Sequence, residues 1–411
     1  GGVLAHRRRE GFRSGGFGFF RIGLLFFQMM SVCSRRVGSE DEGVGIRGRI
    51  KHVIVLMEEN RSFDHFFGFA GAELGVDGVD GSEFNRVNSS DPTSPKVRIR
   101  NHTSYLNPCD PAHSTTATTA KIYGAEAVKR GDFSKPDMSG FVEWENNNGH
   151  DSSLDYCGVL STFTPNKIPV ITALAKNFAI MDRFFCDHPG PTWPNRMYAI
   201  SGTSAGSLET EVWYKNEVGK LFPQKTIFDQ VAEAGLEWRN YYNDTPWEAF
   251  METIAHNPTN VKSMQQFFED AKNSNLPSYA WINPSSGINI TTGVGSNDQH
   301  PDHDVAAGET YYKDIYEALR SSPQWNETLL IITYDEHGGF FDHIPPPSTD
   351  IPRPDDHESY PTKGFAFDRL GIRIPTILVS PWIKKGTVIS SPPPPPPPRG
   401  GGGGGGEERG G

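Results

Sequence analysis

Three stretches of the chain are apolar almost without interruption. Lys51-His52-Val53-Ile54-Val55-Leu56-Met57, Leu329-Leu330-Ile331-Ile332-Thr333-Tyr334 and Pro375-Thr376-Ile377-Leu378-Val379-Ser380 each have the length of one strand and show no polar–apolar alternation. Such a strand is buried on both sides, as in a parallel sheet covered by helices. Helical patterns lie between these runs. Tyr311, Ile315, Ala318 and Leu319 recur at i, i+4, i+7 and i+8, the stripe of an amphipathic helix. Val170, Leu174 and Phe178 line one side of a helix opened by Pro169, and residues 227–234 predict another, stopped by Gly235. Strands alternating with helices predict an open α/β sheet covered on both faces. Residues 71–124, rich in Gly, Ser, Asn and Asp, predict loops over the sheet rather than core. No solenoid-type repeat is visible, and the predicted folded part is residues 48–390.

The ends depart from this pattern. Residues 17–27 are apolar but contain Arg21, and Arg7-Arg8-Arg9 precede them. This is a partial match to a signal peptide and too short for a transmembrane helix. The expectation is a true start at Met29 or Met30, with 1–47 a disordered or mis-assigned segment. A signal or anchor is the alternative, so secreted, membrane-associated and cytoplasmic locations all stay open. At the other end, Pro392–398 runs into Gly400–406, and 391–411 is predicted to be a low-complexity tail without a core.

Composition narrows the picture. The 411 residues are 36% hydrophobic, enough for one large α/β domain or two smaller ones. The net charge of −11 argues against a general nucleic-acid binder, because an acidic chain gains nothing from counterion release. A phosphate substrate remains compatible, since a bound metal supplies local positive charge. The four cysteines, Cys33, Cys109, Cys157 and Cys186, form no C-x-x-C pair and are too sparse for a disulfide scaffold.

Candidate chemistry gathers at strand ends. The first apolar run leads into Glu58-Glu59-Asn60-Arg61-Ser62-Phe63-Asp64-His65, the second into Asp335-Glu336-His337-Gly338-Gly339. Ligands of open α/β sheets bind beyond the carboxyl ends of strands. Clustered carboxylates need a cation or proton between them. Glu59, Asn60, Asp335 and Glu336 offer hard oxygen ligands for a divalent metal ion of open identity, Mg²⁺, Ca²⁺ or Mn²⁺. A third element, Asp187-His188-Pro189-Gly190-Pro191-Thr192-Trp193-Pro194-Asn195-Arg196, is a rigid loop before a helix predicted over 195–200. Thr192, facing a helix start, suits a nucleophile aimed at phosphate, with metal coordination lowering its pKa. A plain Pro-rich turn with Thr192 as N-cap is the bland alternative. A fourth element, Asn297-Asp298-Gln299-His300-Pro301-Asp302-His303-Asp304, places two histidines beside acids, and His113 follows Asp110-Pro111-Ala112. These histidines are candidates for phosphate binding or general acid work, with His343 a weaker one.

These elements together resemble the phosphoesterase family, which contains the bacterial and plant non-specific phospholipases C and related acid phosphatases. The similar segments are Glu59 to His65, Gly190-Pro191-Thr192-Trp193-Pro194-Asn195-Arg196 with Ser201-Gly202-Thr203, Asp298-Gln299-His300-Pro301 with His303-Asp304-Val305, and Thr333 to His343. They come in the family's order over residues 50–388. The resemblance implies an alkaline-phosphatase-like three-layer α/β/α sandwich with a mostly parallel central sheet. It implies metal ligation by Glu59, Asn60, Asp335, Glu336 and Thr192, nucleophilic attack from Thr192, and phosphate-binding or acid roles for His113, His300 and His303. The expected activity is a phospholipase C that cleaves glycerophospholipids to diacylglycerol and a phosphorylated headgroup through a phosphothreonine, in peripheral contact with a membrane. An acid phosphatase on the same fold is the alternative, since fold does not set the substrate. A truncated, inactive lipid-surface protein is the third reading. It draws on one departure: after Val388-Ile389-Ser390 the family continues through a further histidine-containing stretch, whereas this chain enters polyproline, so the C-terminal part of the fold is expected to be truncated.

Overall fold

The computed structural model describes residues 46–390 apart from 108, 211–220, 288–294, 350 and 352–356. The N-terminal apolar run, Cys33 and the Pro/Gly tail lie outside the described residues. In chain order the strands are β1 (His52–Glu58), β2 (Phe84–Arg86), β3 (Lys96–Arg98), β4 (Ala179–Met181), β5 (Trp238–Tyr242), β6 (Val261–Ser263), β7 (Tyr279–Asn283), β8 (Thr328–Tyr334), β9 (Thr376–Val379) and β10 (Thr387–Ile389). β2 and β3 form a separate hairpin; the other eight make one sheet in the order β10-β4-β9-β8-β1-β7-β5-β6. All three apolar runs become buried strands, β1 and β8 at the centre.

The helices that position the site are α1 (Phe63–Phe67), α2 (Thr115–Tyr123), α3 (Phe141–Asn147), α4 (Pro169–Asn177), α5 (Thr192–Ser201), α6 (Ile227–Glu233), α7 (Met264–Lys272) and α8 (Val305–Ser321). Successive strand residues point to opposite faces. Ile54, Leu56, Leu330 and Ile332 pack with Leu174 of α4, Phe267 of α7 and Ile315 of α8. Val53, Val55, Leu329 and Ile331 pack on the other face with Met197 and Ile200 of α5 and Phe228 of α6. The result is a three-layer α/β/α sandwich, as expected. The helix predicted at residues 227–234 is α6, and Gly235 follows it with φ +72°.

Three expectations need correction. The run at Pro375 forms β9, which is antiparallel to both β8 and β4, while the other sheet strands share one direction. Apolar periodicity reports burial and carries no information on direction. Residues 71–124 are not only loop: they end in α2, whose Ile122 and Tyr123 pack with Phe141 and Val142 of α3 in a third apolar cluster. The helix after the Pro-rich loop starts at Thr192, three residues earlier than predicted. Pro194 fits there because the first turn of a helix leaves its N–H groups unpaired in any case. Among the described residues no helix is long and apolar enough to cross a membrane.

Candidate active site

β1 and β8 are neighbours with Glu58 opposite Tyr334, so the two acidic segments leave the sheet side by side. Their backbones remain tied past the strands: Asp335 N–H donates to the Glu58 carbonyl at 3.1 Å and Arg61 N–H to the Glu336 carbonyl at 3.1 Å. Asn60 N–H donates to Asp335 Oδ1 at 3.1 Å. Asn60 takes the left-handed conformation at φ +61°, which Asn tolerates better than most residues. Gly338 has φ +63°, and a Cβ there would lie 2.0 Å from the Asn60 carbonyl oxygen. The Gly-Gly pair after His337 is therefore what lets the two segments approach.

The site's charge is concentrated and under-compensated. Glu58, Glu59, Asp335 and Glu336 are all buried. The cation among them is Arg196 of α5, whose Nη2 lies 2.9 Å from Glu59 Oε1 and whose Nε lies 3.3 Å from Asp335 Oδ2. Its guanidinium packs over the Trp247 ring at 4.3 Å and reaches within 3.7 Å of Glu248. Burial works against this charge, but Glu59, Asp335 and Glu248 outweigh it and hold the Arg196 pKa up. Burial first, then the neighbouring carboxylates, push Glu58, Glu59 and Glu336 well above the usual carboxylate range. Asn60 Oδ1, Glu336 Oε1 and both Glu58 oxygens are buried and accept no hydrogen bond from the protein. Buried polar atoms are rarely left so. Uncommitted oxygens on Asn60 and Glu336, beside the Glu59 and Asp335 carboxylates, form a hard donor set that fits a divalent cation.

Thr192 is the first residue of α5, half-buried, one turn before Arg196. Residues one turn apart share a helix face, so the helix that carries Arg196 to Glu59 and Asp335 carries Thr192 on the same side. Asn195 fixes the preceding loop: its Oδ1 accepts from His188 N–H at 2.8 Å, and its Nδ2 donates to the carbonyls of His188, Gly190 and Pro191. A Cβ on Gly190 would lie 2.6 Å from Thr115 Oγ1, so this loop abuts the segment that carries His113. His188 donates to that same Thr115 hydroxyl, and burial lowers its pKa to about 3, which keeps it neutral and structural.

The histidines are not equivalent. His113 Nδ1 lies 2.7 Å from the Pro111 carbonyl, which only accepts, so Nδ1 carries the proton and Nε2 is bare in the neutral ring. That Nε2 faces Asn60 Nδ2 at 3.4 Å and Glu336 Oε1 at 3.8 Å. His303 Nδ1 pairs at 2.6 Å with Asp298 Oδ1, a buried carboxylate. That bond leads the causes that raise the His303 pKa, so its Nε2 carries a proton at higher pH than an ordinary imidazole. Asp298 also accepts Glu59 N–H on its carbonyl at 2.9 Å, joining this loop to the acidic cluster. His300 Nδ1 pairs with exposed Asp302 at 2.7 Å, and Asp110 lies 3.8 Å from His300 Nε2 and 3.6 Å from His113 Nδ1. His343 is held elsewhere, on Asp64 and Asp77.

Among the described residues, Asp110–His113–His300 and His300–Asp302–His303 each bring three ligand atoms within 4.8 Å of one another, and both adjoin the acidic cluster. A third such group, Asp64–Asp342–His343, is already bridged by Arg373. The sequence reading did not single out Arg196, Asp298 or Asp110. Arg196 was signalled by its four-residue spacing from Thr192. It also gave no hint that Cys109 and Cys157 pair as a disulfide 48 residues apart, one residue from Asp110.

The model of the phosphoesterase family matches residues 50–392. Non-specific phospholipase C1 of Arabidopsis thaliana is 41% identical over 349 residues, 84% of this chain and 63% of that protein. Non-specific phospholipase C4 of the same plant is 42% identical over 353 residues, covering 83% and 63%. The chain thus spans less than two thirds of the length of these relatives. A solved protein of the alkaline phosphatase superfamily from Vibrio parahaemolyticus matches with TM-score 0.34 and 9% identity, over 91% of this chain and 72% of its own. That likeness is too weak to bear on the fold, which rests on the strand order above.

Proposed function

The chain belongs to the phosphoesterase family, and on that premise we propose that it is a hydrolase of phosphoester bonds acting as a phospholipase C on glycerophospholipids. The observation that carries this reading is α5, which begins at the Thr192 hydroxyl and one turn later sets Arg196 against Glu59 and Asp335. Glu59, Asn60, Asp335, Glu336 and Thr192 would hold a divalent cation, which when bound supplies Lewis-acid charge beside the reacting phosphate.

The chain's own groups divide the remaining work. Thr192 Oγ attacks phosphorus as the bond to the diacylglycerol oxygen breaks, giving a phosphothreonine. His113, with its bare Nε2, accepts the proton that Thr192 releases. His303, kept protonated by Asp298, donates from Nε2 to the departing oxygen. His300, set between Asp302 and Asp110, orients the phosphate. Water then attacks the phosphothreonine, giving its proton to His303, while His113 returns its proton to Thr192 Oγ as that bond breaks and the phosphorylated headgroup is freed. The names of the Arabidopsis relatives support a phospholipid substrate, and reaching such a substrate requires peripheral contact with a membrane.

Purified Thr192→Ala should keep its fold by circular dichroism and lose at least about 10³-fold of phosphatidylcholine hydrolysis. Near-normal turnover would remove Thr192 as the nucleophile. Wild-type protein that cleaves nitrophenyl phosphate but not phosphatidylcholine would assign the phosphatase reading instead.

A further inference from the structure

Three of the seven large apolar side chains that lie exposed among the described residues are Tyr105, Leu106 and Leu154, with Leu106 at 57% and Leu154 at 47% exposure. They sit on two short segments joined by the Cys109–Cys157 disulfide. Asn107 adds a second tie, donating from Nδ2 to the Cys157 carbonyl at 3.0 Å. Isolated apolar side chains on a surface need no explanation; Leu106 and Leu154, however, each stand three residues from one end of the same disulfide, which holds their segments together.

That place is the lip of the candidate site. Val305 N–H donates to the Tyr105 carbonyl at 3.1 Å, and Asn107 N–H donates to the Pro301 carbonyl at 3.0 Å. The backbone on both sides of Leu106 is thus fastened to the loop that carries His300 and His303. Tyr105 is anchored in the same way: its ring stacks on Phe163 at 6.0 Å and its hydroxyl donates to the Lys167 carbonyl at 2.8 Å. An aromatic ring with a polar tip, flanked by exposed leucines on rigid backbone, suits the boundary between water and acyl chains.

We propose that this lip, formed by Tyr105, Leu106 and Leu154, seats the protein on a zwitterionic phospholipid bilayer, with the two leucines entering the headgroup layer beside His303. The inference rests on the phospholipase reading and adds the surface by which it would be carried out. A glycerophospholipid holds its phosphate just above its acyl chains, so a histidine loop that reaches the phosphate in place must bring its own rim into that layer. With a net charge of −11, the chain has no bulk attraction to anionic lipid, and the contact is apolar.

The test compares the full chain with the double variant Leu106→Glu/Leu154→Glu. Readouts are co-sedimentation with phosphatidylcholine vesicles, hydrolysis of those vesicles, and hydrolysis of monomeric dihexanoyl phosphatidylcholine. Vesicle binding and vesicle hydrolysis should fall about ten-fold or more, with monomer hydrolysis unchanged within about two-fold. Leu236→Glu, just before the amino end of β5 and so at the opposite end of the parallel strands from the site, should change none of the three. Equal losses on vesicles and monomers, undiminished vesicle binding, or an equal effect of Leu236→Glu would overturn the proposal. So would a variant whose only change is its oligomeric state without lipid, which would assign the lip to a second copy of the chain. Wild-type protein that sediments with vesicles through these leucines but cleaves neither substrate would sink the phospholipase reading while keeping the docking surface.

Discussion

Two buried acidic clusters lie within a few residues of each other on the same two segments, and they are built to opposite rules. In the first, Glu58, Glu59, Asp335 and Glu336 set four carboxylates against the single guanidinium of Arg196, and oxygens of Asn60, Glu336 and Glu58 accept nothing. In the second, Asp64 and Asp342 share Arg373, with His343 as a further partner. Asp64 Oδ1 accepts from Arg373 Nη2 and Oδ2 from the His343 backbone and ring; Asp342 accepts from Arg373 Nε, Asp64 N–H and Ile344 N–H. Arg373 also donates to the carbonyls of Asp77 and Asp182, so the cluster binds five stretches of chain together. A buried charge whose partners are complete holds a structure in place. One whose partners are short by several donors leaves oxygens that the proposed divalent cation would complete.

The most severe way to break this contrast is Arg373→Leu. It leaves Asp64 and Asp342 buried without their cation and should cost about 3–5 kcal/mol of stability, measured by denaturant unfolding, with no rescue by divalent ions. Glu336→Gln addresses the open cluster and should do the reverse. It removes an under-compensated buried charge, so unfolding stability should hold or rise. Phosphatidylcholine hydrolysis should fall by about 100-fold or more, and the rise in melting temperature that divalent ions give the wild type should shrink. Equal stability losses in the two variants would erase the distinction. The smallest effect is a pH dependence of the closed cluster. Burial works against charge on His343, but the Asp64 carboxylate overrides it and raises the pKa to about 9. A group raised on folding stabilises fully below its unfolded pKa, about 6.5, and loses that contribution as pH climbs through 9. Melting temperature should therefore decline between pH 6.5 and 9, and His343→Gln should flatten the decline.

The same contrast explains what could be read from the chain. Glu59 to His65 forms one continuous motif, yet its first residues belong to the open cluster and Asp64 to the closed one, a division that needs Arg373, some 300 positions away, to become visible. β1 and β8 were legible because unbroken apolar runs have one common explanation. β4 and β10, three residues each, carry too few positions for any period to register. α2 was missed because Thr115, Thr116, Thr118 and Thr119 are poor helix formers. Its N-cap at Ser114, which accepts from Ala117 N–H, was the available signal. The acidic strand ends, the Thr192 loop and the histidine loop were legible because chemistry of this kind needs rare residue types in tight spacing. Their pairing with Arg196 and Asp298 was not, because it depends on which strands become neighbours.

The Cys109–Cys157 link has one more consequence. It closes a covalent ring around α2, α3 and the exposed stretch at residues 129–135, which carries Lys129, Arg130 and Lys135. A protease that clips this bulge cuts the polypeptide without dividing the molecule. Asp110 and His113 stay tethered to the body on one side of the cut, so a nicked chain keeps both covalently attached.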